Sequence, residues 1–459
     1  MNVPVEQRPV VSVVYSADES KSAESKHLAM YFAGQLADLG CAVVHLVPLS
    51  ADGIPARDLG KERVVFKPTW KGKKVEIPAS DITFSHFDIL GTSHVIIVTV
   101  NSSDTYMCVE KMKQELDPNR QFATACALFS LQRGVRNNET VKDAFTGRKD
   151  LATIEGIVGF GVVPDPKTKA LVPTEADPTF ALERLSKEKE KLGTGPCNLL
   201  ENMGLFVNYR TNLTIYAWGM LIWESAFGLN ALTGGSMLDT LGDARCRAIL
   251  ASMFREGVAA LDTASHGGGG WAPDLLLISP LLSPWLYEMM LCLPTIIFRL
   301  AAWAMNILPP SSLPSTVLLD IDEGRTTMIS TSLGELCKTG KKYGVEMPVC
   351  DLILEQVTSL EPAAGQGRKQ KKDKEFYLDL IEKEAVVLDG LPPPIGSKEK
   401  DTRRRLRVGE KSHREFRGWV NKFLLWVLAI FCLYVLFVHE HELEEELEFT
   451  AGHHDQGML

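Results

Sequence analysis

The chain has 459 residues, 45% of them hydrophobic and 23% charged, which is length for two or three domains with real cores. A formal net charge of -9 argues against a nucleic-acid partner. Nine cysteines without a single Cys-x-x-Cys pair exclude a disulfide framework or zinc ribbon and read as reduced cytosolic thiols.

Met1–Pro9 is polar and the next apolar stretch is only a strand long, so no secretory leader is expected. In chain order, Val10–Tyr15, Ala42–Leu46, His94–Val100 and Ala123–Leu131 are short β-rich runs. Helical patterns near 24–39, 105–116 and 138–145 lie between them. That alternation predicts a parallel sheet covered by helices, in an α/β domain of residues 1–195. From about 197 to 360 the strand signal stops, and helical runs at 211–232, 240–264, 285–306 and 326–343 predict an all-α domain of residues 196–360. The stretch 361–418 carries a Lys-rich run at 368–374, three prolines at 392–394 and an arginine cluster, and reads as a basic, disordered linker. The run 280–310 is nearly as apolar as a membrane span, but Glu288 and Arg299 interrupt it and Pro284 and Pro294 break it. A core or domain-packing helix is expected there, the alternative being a surface helix at a membrane interface.

Near the end of the chain, Trp419–Val438 is a 20-residue segment whose apolar run is unbroken from Phe423. At roughly 1.5 Å per residue, a helix of that length spans a bilayer core. Arg403, Arg404, Arg405, Arg407, Lys411, Arg414, Arg417 and Lys422 precede it, whereas the tail 439–459 has seven acidic residues and no Lys or Arg. The positive-inside rule therefore predicts a single-pass, tail-anchored protein with a cytosolic body and a luminal acidic tail. The endoplasmic reticulum is the favoured membrane, and the 403–422 cluster suits anionic lipid headgroups. His439, His441, His453 and His454 sit among acids with nothing to fix a coordination geometry, so no metal is expected. Protein partners are not specified.

Pro314-Ser315-Thr316-Val317-Leu318-Leu319-Asp320-Ile321-Asp322-Glu323-Gly324-Arg325 resembles the Ser-Ser-Met-x-x-Asp-x-x-x-Gly-Arg signature of the ketopantoate reductase (2-dehydropantoate 2-reductase) family. Leu333-Gly334, Gly344-Val345 and Pro348-Val349 continue its register. Trp218–Phe227 with Ala231-Leu232-Thr233-Gly234, Leu293-Pro294, Tyr31–Ala37, Ser103-Asp104-Thr105 and Ser130–Val135 fall in the family's order. The resemblance covers about residues 10–360. It implies a Rossmann-like N-terminal domain and an all-α C-terminal domain of the 6-phosphogluconate-dehydrogenase-like kind. It also implies a cleft in which NADPH reduces a 2-keto acid.

The chain departs from that pattern wherever the chemistry is demanding. The family's Gly-x-Gly-x-x-Gly turn is here Ser16–Lys26, and the first glycine of the chain is Gly34. Glycines in that turn admit positive φ and close approach to phosphate, and Asp18, Glu19 and Glu24 repel an anion from the helix start. Two readings stay open: Ser20, Ser22 and Lys26 cradle phosphate in another way, or the segment is a plain turn and helix start. By the same resemblance Met220 stands at the family's general-acid lysine and Met328 at its glutamate, so no catalytic residue is assigned. Glu224 and Gly228 stand where the family tends to place asparagines, Asn101 replaces a lysine, and Gln132-Arg133-Gly134 replaces Gln-Asn-Gly. Ser315 or Thr316 keeps the substrate-binding hydroxyl. Arg133 and Arg136 follow the Ala123–Leu131 run, where open α/β sheets place ligands, and are either anion-binding or surface arginines. The resemblance thus leaves Asn101, Arg133, Ser315 and Thr316 as substrate-binding candidates, and Ser20, Ser22, Lys26, Gln132 and Gly134 as cofactor-binding ones. A non-catalytic binding or scaffolding module is the leading expectation. A working NADP-dependent oxidoreductase with a rearranged site and a ligand sensor without turnover are the rivals.

Overall fold

The computed structural model describes residues 8–49 (except 19 and 41), 63–116 (except 70, 71 and 79), 126–265 (except 175–177 and 204), 290–304, 313–362 and 371–386. All of them belong to one of the chain's two units, Met1–Asp389. The chain begins with β1 (Val10–Tyr15), α1 (Glu24–Asp38) and β2 (Val43–Pro48), then three short strands, β3 (Val64–Phe66), β4 (Val75–Ile77) and β5 (Ile82–Phe84). There follow β6 (Val95–Val98), α2 (Thr105–Glu115), β7 (Cys126–Gln132), α3 (Asn137–Ala144) and β8 (Leu151–Val158). The domain closes with β9 (Val162–Pro164), β10 (Leu171–Pro173), β11 (Thr179–Glu183), α4 (Lys187–Glu201) and β12 (Phe206–Arg210).

Among the described residues the main sheet has eight strands in the order β12-β11-β8-β7-β6-β1-β2-β5. Its six strands from β5 to β8 are all parallel. Counted in sheet order of first use, they run 3-2-1-4-5-6, the doubly wound arrangement of dinucleotide-binding domains. The topological switch point lies between β1 and β6, so the carboxyl ends of β1, β6 and β7 define the crevice. The strands read as unbroken apolar runs because both faces are covered. One face buries Val11, Val13, Phe129 and Ile154 with Tyr31 and Phe32 of α1, and the other buries Ile96, Val98 and Leu128 with Val109 and Met112 of α2. A four-stranded sheet, β4-β3-β10-β9, packs on α1. There a Cβ on Gly34 would stand 2.8 Å from Phe66, so the chain's first glycine serves close packing rather than a phosphate turn.

The helical half comprises α5 (Leu213–Thr233), α6 (Met237–Gly242), α7 (Ala244–Ala264), α8 (Thr295–Ala304), α9 (Thr316–Glu323), α10 (Leu333–Lys342) and α11 (Pro348–Leu360). A last helix, α12, spans Lys374–Val386. α5 is buried on nearly every side and is the axis of the domain, with α7, α9, α10, α11 and α12 against it. Asn230, fully buried near its end, donates to Thr240 Oγ1 at 2.9 Å and accepts from the Ser315 N–H at 3.1 Å, tying α6 and the start of α9 to the axis.

Several expectations need correction. The strand signal does not end at 197, because β12 adds a parallel edge strand beside β11. The expected helix 240–264 is two helices: Asp243 is extended and its carboxylate caps α7 by accepting from the Arg245 and Cys246 N–H groups. The expected helix 326–343 contracts to Leu333–Lys342, since the Thr327 N–H and hydroxyl bond the Glu361 carboxylate instead of joining a helical ladder. Within the expected 285–306 helix the described residues are 290–304, and a helix break at 292–294 precedes the helix Thr295–Ala304, with Phe298 buried under Arg247 and Ile296 75% exposed. The linker expected over 361–418 contains α12, whose Tyr377, Leu378 and Ile381 are buried. Among the described residues no helix is long and apolar enough to cross a membrane, and no His, Cys, Asp and Glu cluster suits a metal. Trp419–Val438, the 403–422 cluster and the acidic tail lie outside the described residues.

Candidate functional site

The crevice begins with the turn between β1 and α1. Ser16, the first residue past β1, donates from its hydroxyl to Asp104 Oδ2 at 2.6 Å, and Lys21 Nζ reaches Asp104 Oδ1 at 2.5 Å. Asn101, just beyond β6, donates its N–H to Ser16 Oγ at 3.0 Å and its amide to the Ser22 carbonyl at 3.1 Å. These bonds fold the turn onto protein groups. Asn101 is therefore a buried brace of the turn, joined through the Ser16 hydroxyl to the Lys21–Asp104 ion pair.

The N-terminus of α1, where a doubly wound fold offers backbone N–H groups to phosphate, already has carboxylates. Asp320 of α9 accepts from the Ala23 N–H at 3.2 Å and from Arg325 Nε at 2.9 Å. Burial pushes its carboxyl up to about 6, against the opposing pull of the Ser22 hydroxyl and Arg325. The Thr326 N–H donates to the Ser20 carbonyl at 2.9 Å, a second fastening between the domains. Ser20 itself is exposed and bonds Asp18 through both its N–H (3.0 Å) and its hydroxyl (2.7 Å). Lys26 is half-buried in the first turns of α1.

Beyond β7 the chain turns through Arg133 and Gly134. Gln132 donates to the Val100 carbonyl at 2.9 Å and to Thr105 Oγ1 at 2.8 Å, which braces the ends of β6 and β7. Gly134 has φ +108°, and a Cβ there would lie 2.6 Å from Ser102 Oγ, so only glycine fits. The Arg133 side chain is 8% exposed and turns inward. Its Nη1 stands 2.5 Å from Glu24 Oε1, its Nε 3.5 Å from Glu224 Oε1, and its guanidinium 5.6 Å from the Phe227 ring centroid. Burial pushes the Glu224 carboxyl up to about 7, with Glu24 adding to the shift and Arg133 opposing it. Arg136, by contrast, is 70% exposed and 3.8 Å from Glu335.

Glu24, Arg133, Glu224, Phe227, Thr316 and Met328 line the cavity between the domains, which at about 10 Å³ has room for one water molecule. An adjoining cavity of similar size, lined by Trp223, Phe227, Met237, Leu313 and Thr316, is mainly apolar. Met220 is buried in α5 and is not among the lining residues. Ser315 accepts the Leu318 N–H at 3.2 Å as the N-cap of α9 and lines the second cavity, while Thr316 faces both. The structure thus brings Arg133, Thr316 and Gly134 to one cavity. Asn101 and Gln132 brace loops, Ser315 caps a helix, and Ser20 lies outside it. Glu224 and Asp320 pair across the domains with partners far away in sequence, which the motif text does not announce. Asp320 and Glu24 thus set carboxylates at the α1 N-terminus, where a doubly wound fold would offer its N–H groups to a phosphate.

Residues 212–361 match the family model "Ketopantoate reductase PanE/ApbA C terminal". Among solved structures, the 2-dehydropantoate 2-reductase from Geobacter metallireducens GS-15 aligns at 17% identity and a TM-score of 0.52, covering 76% of this chain and 100% of its own. A PanE/ApbA family ketopantoate reductase from Ralstonia eutropha JMP134 aligns at 16% identity and 0.51, covering 76% and 97%. D-mandelate dehydrogenase with NADH and anilino(oxo)acetate aligns at 14% and 0.52, covering 80% and 99%. At these identities the likeness is one of fold. No curated protein matches the sequence.

Proposed function

We propose, for a chain whose residues 212–361 belong to the ketopantoate reductase C-terminal family, that the reductase fold serves as a non-catalytic binding or scaffolding module held at a membrane. One observation carries the reading: the buried arginine among the cleft's lining residues, Arg133, already has Glu24 Oε1 2.5 Å from its Nη1 and Glu224 Oε1 3.5 Å from its Nε. An arginine so paired has little charge left for a substrate carboxylate. The Asp320 carboxylate on α1 and the methionines at 220 and 328 support the same conclusion. Loss of a positioned proton donor alone typically removes ~10²–10⁴ in rate.

Calorimetry of residues 1–400 with NADPH at low salt, and NADH as control, tests this reading. No heat of binding at millimolar cofactor is expected. Micromolar NADPH binding would overturn it.

A second reading, an NADP-dependent reductase of 2-keto acids with a rearranged site, is favoured by one specific feature. Glu224 lies one helical turn beyond Met220, and its carboxyl at about 7 is that of a usable general acid near neutral pH. In that case NADPH oxidation with some 2-keto acid would be measurable and Glu224→Gln would abolish it.

We propose Trp419–Val438 as the membrane segment, with the body in the cytosol, the 403–422 cluster at anionic headgroups and the acidic tail on the luminal side, the endoplasmic reticulum being the favoured membrane.

A further inference from the structure

The cavity between the domains has an unequal complement of charge. Glu24 of α1, Arg133 of the turn after β7 and Glu224 of α5 line it, while its lining residues from α9 and from 328–332 include no titratable group. Two carboxylates thus face one guanidinium, and when both are ionised one negative charge is left over. Arg133 gives its close contact to Glu24, at 2.5 Å, and even there the buried Glu24 Oε1 lacks a well-directed hydrogen bond. Glu224 stands farther off, 3.5 Å from Arg133 Nε, and among the described residues it makes no hydrogen bond. The buried Thr316 hydroxyl makes none either, and Thr316 lines both this cavity and the apolar one beside it. Buried acceptors without donors are costly, so these walls suit a group that brings a positive charge and several N–H donors.

An ammonium group meets each demand. It carries three donors on one nitrogen, and a nitrogen of that kind is about the size of the water molecule for which the cavity has room. The Phe227 ring adds a face that attracts cations. Through Phe227 and Thr316 the first cavity adjoins the second, where Trp223, Met237 and Leu313 offer apolar surface to carbon. Two spaces of water size admit a nitrogen with roughly one or two carbons, and not the four-carbon stem of a lysine side chain.

We propose that the cleft binds a small primary amine as its ammonium ion, with Glu224 as counter-ion, the Thr316 hydroxyl as acceptor and the carbon end against Trp223 and Leu313. Such a ligand gives the non-catalytic binding reading, on which it rests, a chemical class, and its charge is opposite to that of a 2-keto acid.

Saturation-transfer NMR of ethylammonium chloride with the full-length protein tests the site, at constant ionic strength and with propionate as the anion of similar size. Saturable binding is expected at pH 8, and for three non-hydrogen atoms the usual ceiling on affinity sets a dissociation constant of about 1 mM or weaker. Burial raises the Glu224 carboxyl to about 7, with Glu24 adding to the shift and Arg133 opposing it. The ammonium pairs with the ionised form, so affinity is full above 7 and should be about tenfold weaker at pH 6 than at pH 8. Glu224→Gln should weaken binding about tenfold or more, the loss expected for a hydrogen bond to a charged group. Thr316→Val should weaken it several-fold. Propionate and Nα-acetyl-lysinamide, a stand-in for a protein lysine, should not saturate. No saturation by ethylammonium at pH 8, equal affinity at pH 6 and pH 8, undiminished binding by Glu224→Gln, or binding of either control as tight as ethylammonium would overturn the site. The pH comparison uses the wild-type chain and holds even where a variant does not fold. None of these results measures NADPH binding or oxidation, on which the non-catalytic reading itself stands or falls.

Discussion

Glu224 shows how one side chain sets the behaviour of the cleft. Its ordinary carboxyl value is 4.5, and in the folded protein it is raised to about 7, chiefly by burial. Below about 4.5 both folded and unfolded chains hold the proton, and nothing charged is buried. Between about 4.5 and 7 the folded state keeps a proton that the unfolded state releases, so stability falls as pH rises. Above 7 the full cost stands, on the order of 3 kcal/mol at about 1.4 kcal/mol per unit. Asp320, raised to about 6, adds a slope of the same sign at lower pH. Glu224→Gln should therefore flatten denaturant stability between pH 5 and 8 and be more stable than wild type at pH 8. Equal slopes in the two proteins would show that Glu224 is ionised throughout.

At the scale of elements, Ser315 separates a structural role from a binding one. As the N-cap of α9 it satisfies the Leu318 N–H, and its own N–H is held by Asn230. Ser315→Ala should cost about 1 kcal/mol in denaturant unfolding, the usual value of a lost cap, and a loss several times larger would mean that the hydroxyl does more. The same distinction explains what could be read from the sequence. The parallel strands β1, β2, β6 and β7 were legible because burial on both faces writes them as apolar runs, whereas β8, equally buried, was missed because Thr153, Glu155 and Gly156 interrupt its run. The three-residue strands β3, β4, β5, β9 and β10 are too short to show a period, and α4, with Gly193, Gly195 and Pro196 within it, hides its pattern. α12 was submerged in a charged stretch because, among its described side chains, its core contribution is Tyr377, Leu378 and Ile381. In the site, the absent glycines and the repelling acids at the start of α1 were visible locally. The partnership of Asp320 with Ala23, 297 residues apart, was not, since nothing short of the folded cleft brings them together.

For the whole molecule, the two halves of the proposed membrane attachment have different physics and can be told apart by salt. A chain ending at residue 418 keeps Arg403, Arg404, Arg405, Arg407, Lys411, Arg414 and Arg417 but loses the apolar segment. Each basic residue near an anionic surface contributes roughly 1 kcal/mol, and that attraction decays within a Debye length. The shortened chain should therefore float with anionic vesicles at low salt, detach at high salt, and ignore neutral vesicles. The full chain carries an apolar segment of 20 residues, whose attachment is hydrophobic and has no such dependence. It should stay with neutral vesicles at high salt. Release of the full chain from neutral vesicles by salt would mean that Trp419–Val438 does not enter the bilayer, and would leave the basic cluster as a purely electrostatic, reversible contact.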